Sequence, residues 1–324
     1  PTLDFVERER DAFACLEHTL RGSEFAAQLA NNIHLIHGDL NDHADAIVHA
    51  IQQRHPRGGG RTIFFLDQCG YVQVPPSLIT RIHRQLSQKS EFIVNFAIDW
   101  LSDFLSDSDG YRHILDHLGL APHIQLDELL QLKQSLADWR YMVEARIGQG
   151  LQAATGLPFF SPFYIEPEDN HRGYWLLHLA PHARARSAMT SIHWKVSNRS
   201  RHYGSLGLEI LAYKPDSDPS LYLHGMSFND DTRTECKRLL VDDLGRLVRD
   251  HYAEGISTRA LEDYCCNRTI ADTDMLHEAL WTLADADILE IKSPTGKGKR
   301  ARSLERDDLI LPNRQIMLPS IRNN

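Results

Sequence analysis

Three features common in secreted and membrane proteins are absent from this sequence of 324 residues. It contains no run of about 18 apolar residues, so we expect no membrane-spanning segment. Its first residues lack the charged and apolar pattern of a secretory signal peptide. Its five cysteines are odd in number and form no C-x-x-C pair, which argues against a disulfide framework or a zinc site. We therefore expect a cytoplasmic protein that has no membrane partner.

Composition and charge limit the partners that the chain can have. Hydrophobic residues make up 42% and charged residues 24%, which excludes disordered and collagen-like proteins. The length corresponds to two domains, at about 100–200 residues each. The formal net charge is −9, so nucleic acid could bind only through local basic patches. The 18 histidines show no spacing typical of a metal site, and we predict no metal.

The first hundred residues alternate between short apolar runs and amphipathic segments. Apolar runs predict strands, and apolar residues spaced three or four apart predict helices. The predicted strands are Leu3–Val6, Ile33–Ile36, Thr62–Leu66 and Phe92–Phe96, and the predicted helices lie near Phe13–Leu20, Ala44–Ile51, Ile79–Leu86 and Ile98–Leu105. Apolar strands separated by helices indicate a mostly parallel sheet that is covered on both faces. We therefore predict a Rossmann-like α/β unit.

A helical region and two further strands complete this first domain, which we place at residues 1–225. Residues 111–155 carry leucines at helical spacing and are predicted to be a helical insertion. Pro158–Ile165 and Tyr174–Leu179 are predicted to be strands joined by a polar loop. A hairpin of this kind would add an antiparallel edge to the sheet. Ala183–Trp194 is predicted to be the next helix.

The last hundred residues, 226–324, are predicted to form a second domain. The predicted elements are a long helix (Asp230–Tyr252), two shorter helices (257–264 and 272–286), a strand (Ile288–Ile291), a turn (294–299) and a returning segment through Arg302 that supplies a second strand. This order is typical of a winged helix-turn-helix domain. Because the last helix is acidic and would repel a duplex, we expect the domain to dock on protein rather than read bases.

Carboxylates follow three of the predicted strands, at Glu7, Asp39 and Asp67. In open α/β sheets, ligands bind at the carboxyl ends of the strands. Glu7 is placed to accept hydrogen bonds from ribose hydroxyls. Asp39, followed by Leu40, is placed to accept one from an adenine amino group. Each carboxylate has an alternative role as a helix cap or a solvated turn residue.

The segment DQCGY, which follows the third predicted strand, is a candidate reaction centre. It combines Asp67, Gln68 and Tyr71 with a flexible glycine. Asp67 could accept a hydrogen bond from an amine, and Tyr71 could stack on a base. Asn95, inside the fourth predicted strand, is either a satisfied core amide or a neighbour that faces Asp67, and we favour the second. We do not assign Cys69 as a nucleophile, because no histidine is evidently paired with it.

Two clusters of basic residues are candidate contacts for nucleic acid. The stretch from Arg172 to Tyr203 has no acidic residue and interleaves arginines with aromatic residues. Arginines contact phosphates and aromatic rings stack on unpaired bases, which suits single-stranded or flipped-out nucleotides. The candidates in this stretch and in the predicted wing are Arg184, Arg186, Lys195, Arg199, Arg201, Lys297, Lys299, Arg300 and Arg302. Alternatively, Trp175 and Trp194 are core residues under a solvated basic helix, and the wing is a solvated hairpin.

Several segments together resemble one known family. They are FVERERDAF, IHLIHGDLND, FFLDQCGYVQVP, SEFIVNFAIDWL, YWLLHLAPHARARSAMTSIHW and LHEALWTLADADILEI, and they span nearly the whole chain. Their order resembles that of the three-Cys-motif partner proteins. The resemblance implies a class I S-adenosylmethionine-dependent methyltransferase fold with an added winged helix. It also implies a partner protein with a three-cysteine motif, itself similar to radical-SAM enzymes.

Two motifs expected of methyltransferases are not found in the sequence. The glycine-rich loop that would hold the methionine part of the cofactor should precede Glu7, so either it lies upstream of Pro1 or the site is degenerate. Amino-methyltransferases commonly have a D-P-P-Y or N-P-P-Y turn where this chain has DQCGY, without proline.

The sequence leaves three functions open. The first is a methyltransferase-like protein that binds S-adenosylmethionine and acts on DNA or RNA. The second is a non-catalytic adaptor that binds nucleic acid for a three-Cys-motif protein. The third is a metal-dependent nuclease built on Asp39, Asp67 and Asp99. The first requires Glu7, Asp39 and Asp67 to lie along one edge of a single sheet.

Overall fold

The structure is a computed structural model, and it describes part of the chain in ten stretches. They are residues 1–29, 31–56, 60–68, 73–135, 139–165, 173–196, 199–200, 206–208, 226–299 and 303–313. The protein is an α/β protein with one mixed sheet and one parallel two-stranded sheet in its first two hundred residues. Within the stretches named here, no helix combines the length and the apolar character needed to span a bilayer.

Strands and helices alternate over the first hundred residues, as predicted. The elements are β1 (Leu3–Glu7), α1 (Arg10–Arg21), a 3-10 turn (Ala26–Gln28), β2 (Ile33–His37), α2 (Leu40–Arg54), β3 (Thr62–Leu66), α3 (Pro76–Gln85), β4 (Ser90–Phe96) and α4 (Ile98–Asp103). Their bounds differ from the predicted bounds by a few residues, because caps and first turns carry no apolar periodicity.

The helical insertion predicted for residues 111–155 consists of three helices. From there to the C-terminal part the elements are α5 (Asp109–His117), α6 (Leu126–Ser135), α7 (Trp139–Thr155), β5 (Phe159–Ile165), β6 (Tyr174–Ala180), α8 (Ala183–Val196), β7 (Arg199–Ser200), β8 (Met226–Ser227), α9 (Asp230–His251), β9 (Ile256–Ser257), α10 (Thr258–Cys265), α11 (Thr273–Asp285), β10 (Leu289–Lys292) and β11 (Leu309–Pro312).

The predicted single sheet is divided into two among the residues described. The larger sheet has the strand order β3-β4-β6-β5, with β3 and β4 parallel and β6 antiparallel to both β4 and β5. This confirms the predicted antiparallel pair at one edge. Strands β1 and β2 form a separate parallel pair, so the prediction of one continuous sheet is wrong for the described part of the chain. Among the described residues, no ladder of backbone hydrogen bonds joins β1 to β3.

One apolar cluster covers the face of both sheets on which α2 lies. Ile47 and Val48 of α2 and Ile147 of α7 pack together with Phe92 of β4, which is completely buried. Strand β4 is central in the larger sheet, and side chains on both of its faces are buried, with Phe92 on one face and Ile93, 6% exposed, on the other. This explains why its sequence is apolar almost throughout instead of alternating.

The C-terminal part consists of α9, α10 and α11 with a three-stranded antiparallel sheet. Strand β11 lies between β10 and β9. Of the returning segment predicted through Arg302, residues 298–299 lie beside β10, through an isolated antiparallel bridge between Gly298 and Lys292 and a hydrogen bond from the Lys299 N–H to the Ile291 carbonyl oxygen. Residues 300–302 lie outside the described residues, and β11 follows at Leu309–Pro312. Each strand of this sheet contributes a buried apolar side chain to the cluster with the helices, namely Ile256 of β9, Leu289 of β10 and the fully buried Ile310 of β11.

Hydrogen bonds from the segment between α10 and α11 attach the C-terminal part to β5 and α8. The Asn267 side chain accepts a hydrogen bond from the Phe160 N–H at 3.0 Å and donates one to the Pro158 carbonyl oxygen at 2.7 Å. The Trp194 indole N–H donates to the Ile270 carbonyl oxygen at 3.0 Å. Because these bonds satisfy backbone groups at the contact, they fix the C-terminal part against the larger sheet.

Candidate functional site

Strands β1 and β2 end side by side, which brings Glu7 and Asp39 to one edge. The strands are parallel and in register, and the Gly38 N–H donates to the Glu7 carbonyl oxygen at 3.0 Å. The Glu7 carboxylate accepts a hydrogen bond from the Glu9 N–H at 2.7 Å. A guanidinium nitrogen of Arg8 lies 4.0 Å from an Asp39 carboxylate oxygen. The two carboxylates predicted to hold a nucleoside are therefore neighbours.

Asp39 is the N-cap of α2, which is the alternative role considered from the sequence. Its carboxylate accepts hydrogen bonds from the backbone N–H and the side-chain amide of Asn41, both at 2.8 Å. These hydrogen bonds, with smaller contributions from Arg8 and His43, lower the pKa of Asp39. The carboxylate is thus held as an anion at the edge of the sheet. Leu40, the third predicted cofactor residue, packs partly buried against the core.

A series of contacts connects this edge to the end of β3. The Asn41 side-chain amide also donates to the Gln73 carbonyl oxygen at 3.2 Å. Gln68, directly after β3, accepts a hydrogen bond from the Val74 N–H at 3.0 Å. The carboxyl ends of β2 and β3 therefore lie at the same edge of the fold. Gln68 is only 3% exposed, so its predicted place in an open reaction centre is wrong; its side-chain oxygen is engaged by the Val74 N–H instead.

Asp67 and Asn95 form the hydrogen-bonded pair that the sequence analysis favoured. The Asn95 side-chain amide donates to Asp67 Oδ1 at 3.0 Å. Strands β3 and β4 are parallel with Leu66 opposite Val94, so the residues that follow these two lie next to each other. Asp67 is exposed and Asn95 is half-buried. The pair therefore presents polar oxygens at an accessible strand end. Tyr71 and Cys69 lie outside the described residues.

Asp99, the third carboxylate of the nuclease alternative, is engaged by protein groups. It is 4% exposed and accepts hydrogen bonds from the Tyr164 hydroxyl and the Gly173 N–H, both at 2.6 Å. Arg140 lies 3.4 Å from its other oxygen. Asp99 thus joins the end of β5 to the residue before β6 and is not placed as a metal ligand. No group of three or more His, Cys, Asp or Glu side chains in the described stretches is arranged to hold a metal ion.

Arg186 was predicted to contact nucleic acid, and the structure contradicts this. The side chain is buried, and its guanidinium donates hydrogen bonds to Ser161 Oγ at 2.9 Å, to the Ala271 carbonyl oxygen at 2.8 Å and to the Thr269 carbonyl oxygen. A guanidinium that is enclosed in this way cannot reach a phosphate. The pKa of Arg186 is lowered by burial.

The two tryptophans of the first basic stretch are also enclosed. Trp175 is 3% exposed and Trp194 is 6% exposed, and both belong to apolar clusters. They cannot stack on bases, so the alternative that they are core residues is correct. Arg184 and Lys195 are exposed on α8 and remain candidates. The side chain of Arg199 and all of Arg201 lie outside the described residues.

In the second basic cluster, Lys299 is committed to the fold. Its ammonium group lies 2.5 Å from Asp308 and 3.3 Å from Glu305, and its side chain is 12% exposed. The prediction that Lys299 contacts phosphate is therefore wrong, because both acidic partners neutralise it. Lys297 is exposed and remains a candidate. Arg300 and Arg302 lie outside the residues that the structure describes.

Two polar residues near the edge were not predicted from the sequence. Asn41 links Asp39 to Gln73, and the only sequence signal for it is an Asp-x-Asn pattern at the start of a helix. Glu144 of α7 lies in the helical region near Asp99, 1% exposed. Nothing in the sequence indicates that Glu144 is buried, because a single glutamate in an amphipathic helix is normally exposed to solvent.

Comparisons with models of protein families, with curated proteins and with solved structures found no match to this chain. The functional interpretation therefore depends on the geometry of the site and on the resemblance described from the sequence.

Proposed function

We propose that this protein is a methyltransferase-like protein that binds S-adenosylmethionine and acts on nucleic acid, with its reaction centre at Asp67 and Asn95. The observation that carries the proposal is the hydrogen bond between these two side chains at an exposed strand end. The second support is the pair of Glu7 and Asp39 at the ends of β1 and β2. Among the described residues these strands form a sheet separate from that of β3, and the hydrogen bond from Asn41 to Gln73 connects the carboxyl ends of the two sheets in place of the single sheet that was expected.

The finer fold assignment belongs to this proposal. The strand order β3-β4-β6-β5, with its antiparallel pair at the edge, is the order expected for one half of a class I methyltransferase sheet. In the C-terminal part, two helices are followed by β10 and β11, with β9 before them. This order agrees with a winged helix, as the resemblance implies.

The Asp67–Asn95 pair suits the binding of an amine. Because Asn95 donates to Asp67 Oδ1, Asp67 Oδ2 and Asn95 Oδ1 are two further acceptors at the same strand end. Two acceptors match the two N–H bonds of an exocyclic amine on a nucleobase. The cofactor would supply the methyl group when bound, and the pair would orient the amine toward it. The negative charge of Asp67 would stabilise the positive charge that develops on the alkylated nitrogen.

Glu7 and Asp39 have the chemistry needed for the nucleoside part of the cofactor. One oxygen of the Glu7 carboxylate accepts a hydrogen bond from the Glu9 N–H. The other oxygen can accept a hydrogen bond from a ribose hydroxyl. Asp39 is anionic and fixed by Asn41, so it can accept from an amino group without reorganising. For nucleic acid, Arg184, Lys195 and Lys297 are exposed cations that can contact phosphates.

Calorimetry with S-adenosylmethionine on the natural full-length protein tests the cofactor assignment. We expect saturable binding that Glu7→Ala weakens at least about tenfold, because a hydrogen bond to a charged group contributes about 1.5–3 kcal/mol. Glu9→Ala, a matched change in an exposed carboxylate two residues away, should leave the affinity unchanged. Absence of binding to the full-length protein would remove the proposal.

Transfer of labelled methyl groups to DNA and RNA tests the reaction centre. We expect Asp67→Ala to reduce transfer by about 100-fold or more, while Asp107→Ala, in an exposed ion pair with Arg112, leaves it unchanged. Nucleic-acid binding without any transfer, equal in wild type and Asp67→Ala, would contradict the methyltransferase assignment and favour the adaptor.

A further inference from the structure

One side-chain amide connects the candidate nucleoside site to the segment that follows β3. Asn41 lies in the first turn of α2 and is exposed. Its Nδ2 donates one hydrogen bond to Asp39 Oδ1 at 2.8 Å and another to the Gln73 carbonyl oxygen at 3.2 Å. An amide nitrogen carries two N–H bonds, so these two contacts use its full donor capacity. Asn41 therefore holds the carboxylate after β2 and the backbone after β3 at the same time.

The backbone that Asn41 contacts is itself held on the strand end that carries Asp67. Val74, the residue after Gln73, donates its N–H to Gln68 Oε1 at 3.0 Å. Gln68 is buried and directly follows Asp67. A restraint on Gln73 is therefore passed, through one backbone hydrogen bond, to the residue next to Asp67.

Water competes with the Asn41 contacts while the site is open. The Asn41 side chain is exposed, and the Asp39 side chain is 36% exposed. A hydrogen bond that is open to water contributes little net stability, whereas the same bond is stronger where the local dielectric is low. A nucleoside bound to Asp39 covers the adjacent Asn41 amide and excludes this water. Binding at Asp39 therefore strengthens the hydrogen bond from Asn41 to Gln73.

We propose that Asn41 is a positioning residue that couples nucleoside binding at Asp39 to the strand end that carries Asp67. The inference rests on the proposed function and adds an order of binding to it. The bound cofactor strengthens the contact of Asn41 with Gln73, and the restrained strand end then holds the Asp67–Asn95 pair in place for the amine. Because coupling between two sites is reciprocal, a bound amine also favours the cofactor.

Hydrogen exchange at the Val74 amide measures the coupling. In the natural full-length protein, saturating S-adenosylmethionine should slow this exchange about three- to tenfold, the factor expected for strengthening one exposed hydrogen bond. Asn41→Ala removes both side-chain contacts but keeps the backbone N–H that Asp39 caps. In this variant the cofactor should still bind and should leave the exchange of Val74 unchanged. Equal slowing in wild type and Asn41→Ala would overturn the coupling.

Gln52→Ala is the matched control. Gln52 is also an exposed side-chain amide on α2, and it donates to the Gln85 carbonyl oxygen at 2.8 Å near the opposite end of the helix. Its bond attaches α2 to the end of α3, away from Asp39. The slowing at Val74 should therefore persist in Gln52→Ala. Loss of the slowing in both variants would show a general loosening of α2 and would also overturn the role of Asn41.

Methyl transfer at saturating cofactor supplies a readout that a purely structural role does not change. Asn41→Ala should lower kcat about three- to tenfold while its Tm stays close to that of wild type. Asn41→Asp has the same shape but lacks the donor and places a second carboxylate beside Asp39, so it should lower kcat further. Wild-type kcat in both variants would contradict the proposal.

These measurements separate the coupling from the proposed function. Absence of S-adenosylmethionine binding to wild type would remove the proposed function and the coupling with it. Saturable binding and transfer in wild type, with no change in the exchange of Val74 when the cofactor binds, would keep the proposed function and overturn the coupling alone.

Discussion

At the scale of single residues, Glu144 and Asp99 show how two neighbouring buried carboxyl groups can differ. Asp99 is hydrogen-bonded by Tyr164 and Gly173 and faces Arg140. Both oxygens of Glu144 are buried without a hydrogen-bond partner in the part of the chain described. Burial, together with the negative charge of Asp99, raises the pKa of Glu144 well above its usual value. The fold therefore favours the protonated form of Glu144.

The raised pKa of Glu144 predicts a specific dependence of stability on pH. Between the usual glutamate pKa and the raised one, the folded protein keeps a proton that the unfolded chain has released, so the free energy of unfolding falls as the pH rises. Glu144→Gln cannot titrate. From about pH 5 to about pH 8, we expect the Tm of wild type to fall relative to that of Glu144→Gln.

Thermal unfolding of both proteins over this range is the measurement. Glu128→Gln, which changes a half-exposed glutamate paired with Arg146, serves as the control. It should change the Tm by the same amount at both ends of the pH range. Parallel pH profiles for wild type and Glu144→Gln would show that Glu144 does not titrate through this window.

Residue pairs at strand ends could be predicted, but enclosed charges could not. The Asp67–Asn95 pair could be predicted because each residue lies at the end of a recognisable apolar run, and consecutive parallel strands usually lie side by side. Arg184 and Arg186 are two residues apart in an acid-free stretch and look alike in sequence. Arg184 is exposed, whereas Arg186 is buried and donates hydrogen bonds to backbone carbonyl oxygens of a segment about 85 residues later. Only the tertiary packing of α8 against that segment distinguishes them.

At the scale of elements, the turn between β2 and α2 is determined by its glycine. Gly38 has φ of +151°, and a Cβ at this position would lie 2.2 Å from His43 Nε2. The glycine allows the chain to turn sharply so that Asp39 can cap α2. The sequence also predicts a segment that returns beside β10, and residues 298–299 lie there, whereas residues 300–302 lie outside the described part of the chain. It does not predict that β11 is the middle strand of this sheet, because apolar periodicity locates strands without giving their order.

Gly38→Ala should therefore destabilise the protein by about 2 kcal/mol, through backbone strain and the contact with His43. Adding His43→Ala to this variant should recover the part of the lost stability that comes from the contact with His43. The part that comes from backbone strain should remain. Gly110→Ala in α5 is the control. Its Cβ would meet only Ser108 Oγ, at 3.9 Å, so a change of about 0.5 kcal/mol in the stabilising direction is expected. Denaturant unfolding measures all three, and equal effects of Gly38→Ala and Gly110→Ala would contradict the interpretation.

At the scale of the whole molecule, a few polar contacts join the larger sheet to the C-terminal helices. Arg186 bonds to Ser161 of β5 and to carbonyl oxygens of residues 269 and 271. Asn267 bonds to backbone groups of residues 158 and 160. The sequence predicts two domains separated near residue 225, because the pattern of elements changes there. It cannot show that the two parts are joined, because the polar residues that join them are single side chains, and the apolar residues that join them, Phe163 and Trp194, look like any other core residue in the sequence.

We expect Arg186→Met to lower the free energy of unfolding by about 3 kcal/mol. Methionine fills a similar volume but leaves Ser161 and the two carbonyl oxygens without their donors inside the protein. Arg184→Met changes an exposed neighbour on the same helix and should alter stability by less than about 0.5 kcal/mol. Denaturant unfolding measures both changes. Nucleic-acid binding should show the opposite order, with Arg184→Met weakening it and the folded fraction of Arg186→Met binding as wild type. If Arg186→Met leaves stability intact, Arg186 does not join the two parts of the molecule.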